Sequence, residues 1–572
     1  MPNEALPLLA SATTPDNRRY TANHQPGPSV SPVVKGNKLL CRLSSSRDGQ
    51  QRDHSRATVP NHAIPKQVEL WRIENLAIPA CYLTVGIVQG LSGPLLNVYP
   101  LDLGASEAAQ LTLGSITNFP GSLKVVFGFL SDNTLGGRRK PYMIVGWTAV
   151  VLSMGYLWLL QPGITSDGAG AVAPSIPTLG AVFFSLGVGM WLADVMGDAL
   201  VAERAKLEPP IIKGRMQSSC YACRFFGMMV AAPLSTWLYS SSSLAGSGAV
   251  FGLGGGPQSV ILLLLLSPLL LVLPLLIFFK EDHHHHHMHV NSASTKPRLE
   301  TSKKSMQNRM QDIWKTVQSR SVWQPMAFIY LYNLLQVSNG AWRQFLKSVL
   351  QFTEVQLNSI LIASYITLYL GTMLYKFAFL KTSWRKVYWV CMCLNGVLSA
   401  LQLLLVYGKT FGLSPFLFAF GDEAFGEFVV GVQFLPVTIM MVDLCPQGSE
   451  GASYALFTTF MNAAIAIGPI TSSMLLGIWD VTKDTLVAGE LSGFVKLTLL
   501  TTALQMSPIF FLHWLPQNKS ELMELSNQHG NKSRSRWGGI AFLTVPFLSI
   551  LYSLVVGTLN IIYPNWIQGE RS

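Results

Sequence analysis

The sequence predicts an all-α membrane protein built as two six-helix bundles, with a candidate thirteenth helix at its C-terminal end. Three observations carry that expectation. Of 572 residues, 49% are hydrophobic and only 12% are charged, whereas a soluble domain carries about 25% charge. Apolar runs of about 20 residues, the length that crosses a bilayer as a helix, recur along nearly the whole chain. A polar stretch at 280–320 divides those runs six and six. Lipid cannot hydrogen-bond a bare backbone, so each run must close its own bonds as a helix. The runs are too long and continuous for barrel strands.

Residues 1–70 come first. They are rich in Ser, Pro, Asn and Arg, lack helical period, and read as a disordered tail. No apolar stretch of the kind a cleaved secretory signal needs is present there. "EALPLL" at 4–9 fits an acidic dileucine sorting pattern, which chance also produces. The first bundle, 71–280, holds runs at 76–100, 108–131, 142–161, 178–201, 216–239 and 258–279. A linker, 281–320, follows with a run of histidines. Such a run can bind metal, but nothing beside it fixes a geometry, so a solvated linker is the reading. The second bundle, 321–516, holds runs at 322–345, 356–380, 386–408, 413–442, 451–478 and 490–515. A basic loop and an uncharged run at 540–563 complete the chain within 517–572.

Basic segments follow spans 2, 4, 6, 8 and 12: "GGRRK", "ERAKLEPPIIKGR", the linker, "KTSWRK" and "NKSRSR". Lys and Arg favour cytoplasmic loops. The N-terminus is therefore expected in the cytosol, and a thirteenth span would put the C-terminus outside. Plasma and organelle membranes both fit. The net charge of +11 is accounted for by these loops and the tails, so no nucleic-acid partner is expected. The seven cysteines are scattered, and Cys220 and Cys223 form a lone CxxC. A zinc site needs about four ligands, so no metal and no cofactor are expected.

The two halves resemble each other. "KVVFGFLSDNTLGGRRKPY" (124–142) and "YLGTMLYKFAFLKTSWRKVYW" (369–389) both run apolar helix, short turn, cations, apolar helix. "GRMQSSCYACRFFGMMVAAP" (214–233) and "EGASYALFTTFMNAAIAIGP" (450–469) both place small residues at helical intervals and end in proline. Paired six-helix halves are the plan of major facilitator transporters, which hold solute near mid-membrane between the halves. The first loop resembles that superfamily's signature G-x-x-x-D-x-x-G-x-R-R. Gly128, Asp132, Gly137, Arg138 and Arg139 stand in that order, with a longer interval after the acid. The glycines would allow a tight turn, and the charges could latch one face of a rocking carrier. A purely topogenic basic turn is the other reading.

Two further segments narrow the resemblance. "LADVMGDALVAERAK" supplies Asp194, Asp198, Ala199, Val201, Ala202 and Glu203, and "DLCPQGSEGASYALF" supplies Cys445, Pro446, Gly448 and Glu450. Together with the loop they resemble the folate–biopterin transporter (BT1) family of the major facilitator superfamily, over roughly residues 76–525. The resemblance implies a proton-coupled secondary transporter of folates and/or pterins, working by alternating access. It leaves open another small metabolite, such as S-adenosylmethionine, and a receptor that no longer moves solute. Span 7 departs from the family's pattern with Arg343 and Lys347 near its outer end.

Ionisable residues inside a membrane helix cost about 2.5–3.5 kcal/mol each on insertion scales, so those present need a reason. Asp194 and Asp198 are four apart and share a helix face. Lys124 and Arg224 lie at similar depth on spans 2 and 5. The four could form a substrate and proton site or only a structural charge cluster. In the first case Asp194, being deeper, is expected to carry the proton, and Asp198 to receive the solute ring. Trp191, Tyr221 and Phe225 are candidates for stacking on that ring. Glu427 reads as the one firm acid in the core of the second bundle. Glu203 and Glu450, at the cytosolic mouth, read as gating contacts beside the loop. No HExxH, GxSxG or intramembrane His pair appears, so an enzyme is not expected.

Overall fold

Spans 4 and 10, the fourth of each half, begin where a serine hydroxyl satisfies a free helix N–H. Ser175 caps span 4 (Ile176–Ala205), its hydroxyl accepting from the Thr178 amide, with Pro177 in the first turn. Ser414 caps span 10 (Pro415–Leu444) in the same way through the Leu417 amide, with Pro415 in the first turn. Both helices are 30 residues long. The internal repeat thus extends to the caps, where proline in the first turn forfeits no intrahelical hydrogen bond.

The computed structural model describes residues 69–104, 107–161, 174–209, 214–240, 256–281, 298–446, 449–527 and 534–562. The N-terminal tail with its sorting pattern and the histidine run lie outside these residues. Span 1 is Ala77–Asn97, span 3 Lys140–Leu159, span 5 Arg215–Ser240, span 9 Trp384–Val406, span 11 Glu450–Leu475 and span 13 Arg536–Ile562. Span 2 runs from Glu107–Asn118 through a 3-10 turn, Phe119–Leu123, into Lys124–Asn133. Pro120 causes that change of winding, because it has no N–H to give. Span 6 is divided after Leu271 into Pro257–Leu271 and Leu273–Phe278, and span 8 (Glu354–Leu374) ends in a π turn, Tyr375–Phe379. Span 12 (Ser492–Met506) tightens into the 3-10 stretch Ser507–Trp514, entered at Pro508.

Three features differ from the sequence expectation. Span 7 is not continuous: Arg320–Leu335 and Trp342–Ser348 are separated by 336–341, where Asn339 turns its side chain onto the Ala341 amide and Thr498. The linker contains a helix, Arg298–Val317. Its polarity hid it, and its apolar contacts are Ile313, Val317 and Trp314, the last lying against Gly539 at the start of span 13. A short helix, Lys519–Asn527, follows span 12 and docks by a Lys519 Nζ–Asp443 Oδ1 ion pair of 3.0 Å. Among the described residues, ten helices are long and apolar enough to cross a bilayer. Spans 2 and 7 are broken, and span 5 carries polar side chains along its length.

In the first bundle span 1 packs on span 5, and span 3 on spans 4 and 6; in the second, span 8 packs on span 10, and span 9 on spans 10 and 12. The closest crossings need glycine. A Cβ on Gly86 would stand 1.9 Å from the Arg224 carbonyl oxygen, and one on Gly371 would stand 2.1 Å from that of Phe428. Small residues let membrane helices approach where hydrophobicity gives no drive. The two bundles meet along spans 2 and 11 and along spans 5 and 8. Span 13 packs on span 11, with Phe542 stacked on Phe460 at 4.4 Å between centroids and the Tyr330 and Ser549 hydroxyls 2.5 Å apart.

Candidate functional site

Span 4 turns Asp194 and Asp198 inward, toward spans 1, 2 and 5. Lys124 Nζ lies 2.6 Å from Asp194 Oδ2 and 3.8 Å from Asp198 Oδ2, and Arg224 Nη1 lies 3.0 Å from Asp194 Oδ1. Asp194 and Asp198 are each 2% exposed and Lys124 4%. The four residues singled out from depth alone therefore form one neutral, buried cluster. Their pairing is uneven. Asp194 is held by both cations, whereas Asp198 has one distant cation, Lys124, and two hydroxyls that donate to its Oδ1, Tyr82 at 2.5 Å and Tyr221 at 3.5 Å. Asp194, expected from its depth to carry the proton, is thus the better paired of the two acids.

Trp191, one turn before Asp194, puts its ring 4.6 Å from Lys124 Nζ and 6.0 Å from the Arg224 guanidinium. A cation over an indole face gains up to about 2 kcal/mol when desolvated. The Trp191 indole N–H is buried without a hydrogen-bond partner among the described residues, and Gly121 leaves room for the ring, 2.9 Å from where a Cβ would be. Tyr221 and Phe225 meet Phe434 of span 10 edge to face, at 4.8 and 5.3 Å. All three predicted ring residues thus lie at the cluster or between it and the second bundle. Sequence reading missed Tyr82, Gln89, which accepts from Arg224 Nε at 3.2 Å, and Phe434.

Glu427 stands apart from this cluster, on span 10. It is also not the one acid there. Asp422 is buried and accepts from Gln402 Nε2 at 2.9 Å, and Glu423 accepts from the Trp342 indole at 2.7 Å. No ion pair to any of the three occurs among the described residues. Arg343 and Lys347 are exposed.

The face bearing the basic loops is closed by charge. Asp132 Oδ2 accepts the Ala452 amide at 2.7 Å, and Asp132 Oδ1 lies 2.9 Å from Arg139 Nη2. Asp132 of the first bundle therefore caps the N-terminus of span 11 in the second, where a carboxylate meets the positive end of the helix dipole. Arg139 also pairs with Glu203, and its backbone amide donates to Glu281 Oε1 at 2.5 Å. Burial alone would lower the Arg139 pKa, but the Glu203 and Asp132 carboxylates raise it. Glu450 takes Lys206 Nζ at 2.9 Å, and the same ammonium reaches the Pro446 carbonyl at 3.1 Å.

Two members of the loop signature behave differently from expectation. Gly128 is inside a helix, not a turn. A Cβ there would meet Ala455 Cβ and the Gly451 carbonyl oxygen, each at 2.7 Å, so glycine serves the approach of spans 2 and 11. Gly137 does form the turn, at φ +77°. Arg138 is exposed at that turn and joins no ion pair among the described residues, because its neighbour Arg139 alone points under the loop.

Comparisons with known proteins agree with this architecture. A sequence model of the BT1 family matches residues 86–536. The folate-biopterin transporter of Synechocystis sp. is 24% identical over 467 residues, covering 80% of this chain and 85% of its own. A probable folate-biopterin transporter of Arabidopsis thaliana, number 5, is 23% identical over 469 residues, covering 80% and 86%. The solved proton:xylose symporter XylE, bound to 6-bromo-6-deoxy-D-glucose, superposes with a TM-score of 0.54 at 13% identity over 80% of this chain and 98% of its own. The family match, the paired bundles and the buried charges between them lead to one conclusion: this chain belongs to the BT1 family and is a multi-pass membrane transporter with the major facilitator fold.

Proposed function

We propose that this protein moves pterins and folates across its membrane by alternating access, driven by protons. The observation that supports this most is the neutral four-charge cluster, buried in the first bundle and facing the second. Asp194, clamped by Lys124 and Arg224, holds both cations in place. Asp198, the less compensated acid, is the group that takes and releases the proton, since burial penalises an unpaired carboxylate. A pterin presents an amide N–H beside an amino group, and a carboxylate accepts such a pair as two parallel hydrogen bonds. Trp191, Tyr221 and Phe225 supply ring surfaces, and the unpartnered Trp191 indole supplies a donor. By the distribution of Lys and Arg the basic face is cytosolic. Residues 71–280 and 321–516 then act as the rocking halves, 281–320 as their cytosolic tether, and Asp132, Arg139, Glu203 and Glu450 as the latch.

Uptake of labelled folate in cells lacking their own uptake tests this reading, with pterins, methylfolate and S-adenosylmethionine as competitors. Uptake should rise when the outside is acidified, collapse with a proton ionophore, and yield to pterins. Indifference to every pterin and folate would refute it. Asp422, Glu423 and Glu427, with no paired cation among the described residues, favour a solute of lower negative charge. On that reading a tail-less pterin outcompetes folate.

The proposed topology carries its own expectation. Span 13 follows a cytosolic loop, so a tag placed after Ser572 should react with impermeant reagents on intact cells expressing the protein at the surface. The sequon at Asn518 should stay unglycosylated. A tag protected from outside, in surface-routed protein, would overturn the thirteenth crossing.

A further inference from the structure

A chain of hydroxyls joins the two bundles beneath the charge cluster. Gln217 and Tyr221 are one turn apart on span 5, and they hold Tyr454 of span 11 between them. Gln217 Nε2 lies 2.8 Å from the Tyr454 hydroxyl, the Tyr454 and Tyr221 hydroxyls are 3.3 Å apart, and the Tyr221 hydroxyl is 3.5 Å from Asp198 Oδ1. Tyr454 has no exposed surface and Gln217 is 1% exposed. The chemistry of the two end groups fixes the donors. An amide nitrogen only donates, so Tyr454 receives from Gln217 and has its own hydrogen for Tyr221. A carboxylate only accepts, so Tyr221 gives its hydrogen to Asp198. Every link points the same way, from Gln217 through Tyr454 and Tyr221 to Asp198, and Tyr82 adds a second donor at the same oxygen.

Such a chain is strongest when its last acceptor is charged. Hydrogen bonds to an ionised group are about twice as strong as neutral ones, and aligned bonds polarise one another. Tyr454 is the only member of this chain that belongs to the second bundle, and it is gripped only while spans 5 and 11 are together at the basic face. Asp132 holds the neighbouring seam between spans 2 and 11 by accepting the Ala452 amide, with Arg139 beside it. The hydroxyl chain is the part of the closed face whose strength depends on a group that exchanges a proton.

We propose that Tyr454 is the positioning residue that couples protonation of Asp198 to opening of the basic face. With Asp198 ionised, the donor chain is polarised and the face is held shut. A proton on Asp198 removes the charge at the end of the chain, loosens the grip on Tyr454, and lets the second bundle swing away. The proposal rests on the proton-coupled reading above. The groups that face Asp198 are Cys81 and Tyr82 from span 1, Lys124 from span 2, Asp194 on its own span, and Cys220, Tyr221 and Arg224 from span 5, with Tyr454 reaching it through Tyr221. Of these, Tyr454 alone would leave when the bundles part.

The test is a distance measurement across the basic face in reconstituted full-length protein. Spin labels at the exposed positions Arg138 and Lys381, replaced by cysteine, report the separation of the two bundles as pH is stepped from neutral to acid. Wild type should shift toward the open basic face on acidification. Tyr454→Phe, which keeps the ring and removes the hydroxyl, should be open at both pH values, with about tenfold more open protein at neutral pH, the equilibrium change of one charge-linked hydrogen bond. Tyr221→Phe breaks the same chain at another link and should behave alike. Asp198→Asn should lose the pH response. If the two tyrosine variants keep the wild-type response while Asp198→Asn loses it, the bridge is wrong and proton coupling at Asp198 stands. If wild type transports pterin yet shows no pH response, both are overturned.

Discussion

Replacing Asp194 with Asn is expected to abolish transport and also to lower the amount of folded protein, and adding Arg224→Gln should restore the protein without restoring transport. The single change leaves Lys124 and Arg224 buried with only Asp198 between them. Removing one partner of a buried ion pair costs about 3–5 kcal/mol, out of a total stability of about 5–15 kcal/mol for a domain. Arg224→Gln returns the cluster to neutrality, because Lys124, already 3.8 Å from Asp198, then pairs with it. Glutamine keeps a donor toward Gln89, whose Oε1 accepts from Arg224 in the native protein. Membrane abundance and solute uptake, measured on the single and double variants, separate two roles for the cluster. A purely structural one predicts that both recover in the double variant. A transport site predicts that abundance recovers and uptake does not, since solute and proton have lost the geometry that Asp194 imposes. Full uptake in the double variant would sink the site assignment.

The same cluster shows how far the sequence could be read. Two acids four residues apart, and two cations at matching depth on other spans, were enough to bring Asp194, Asp198, Lys124 and Arg224 together. Burial in lipid leaves such groups little choice but one another. Which acid is better paired depends on side-chain reach across three helices, and no spacing encodes that; Tyr82 settles it from span 1. Tyr454 was invisible for a related reason. In "EGASYALF" it looks like one more aromatic of a membrane helix, and its meaning appears only when span 11 is set against span 5. Arg138 and Arg139 are adjacent cations whose difference arises from the turn at Gly137. Gly128 was misread because a glycine needed for a tight turn and one needed for helix contact look the same in a sequence. The linker helix Arg298–Val317 was missed because it has no apolar run of its own, only Trp314 and neighbouring apolar residues placed against other elements.

Gly128→Val is expected to give a folded carrier that binds solute from the outer side with near-native affinity and turns over far more slowly. Gly128 lies within span 2, and the three atoms nearest to a Cβ there all belong to span 11. The atoms a Cβ would strike, Ala455 Cβ and the Gly451 carbonyl oxygen at 2.7 Å, all belong to span 11 of the other bundle. The substitution therefore leaves each bundle intact and strikes only the state in which the basic face is shut. Backbone cannot yield as a flexible side chain does, so spans 2 and 11 must separate. Separation also pulls Asp132 from the Ala452 amide. That contact combines a helix cap, worth about 1 kcal/mol, with a favourable dipole interaction of up to about 2 kcal/mol. Asp132→Asn isolates the second effect: the amide oxygen can still cap, but the charge facing the helix end and Arg139 is gone. It should slow turnover by about tenfold, less than Gly128→Val, with apparent affinity little changed in both. Initial-rate kinetics and exchange under equal solute on both sides read the two quantities separately. The latch is wrong if either variant loses affinity while keeping its maximal rate. It is also wrong if Gly128→Val cycles normally, because then the face at which spans 2 and 11 meet need not close for transport to proceed.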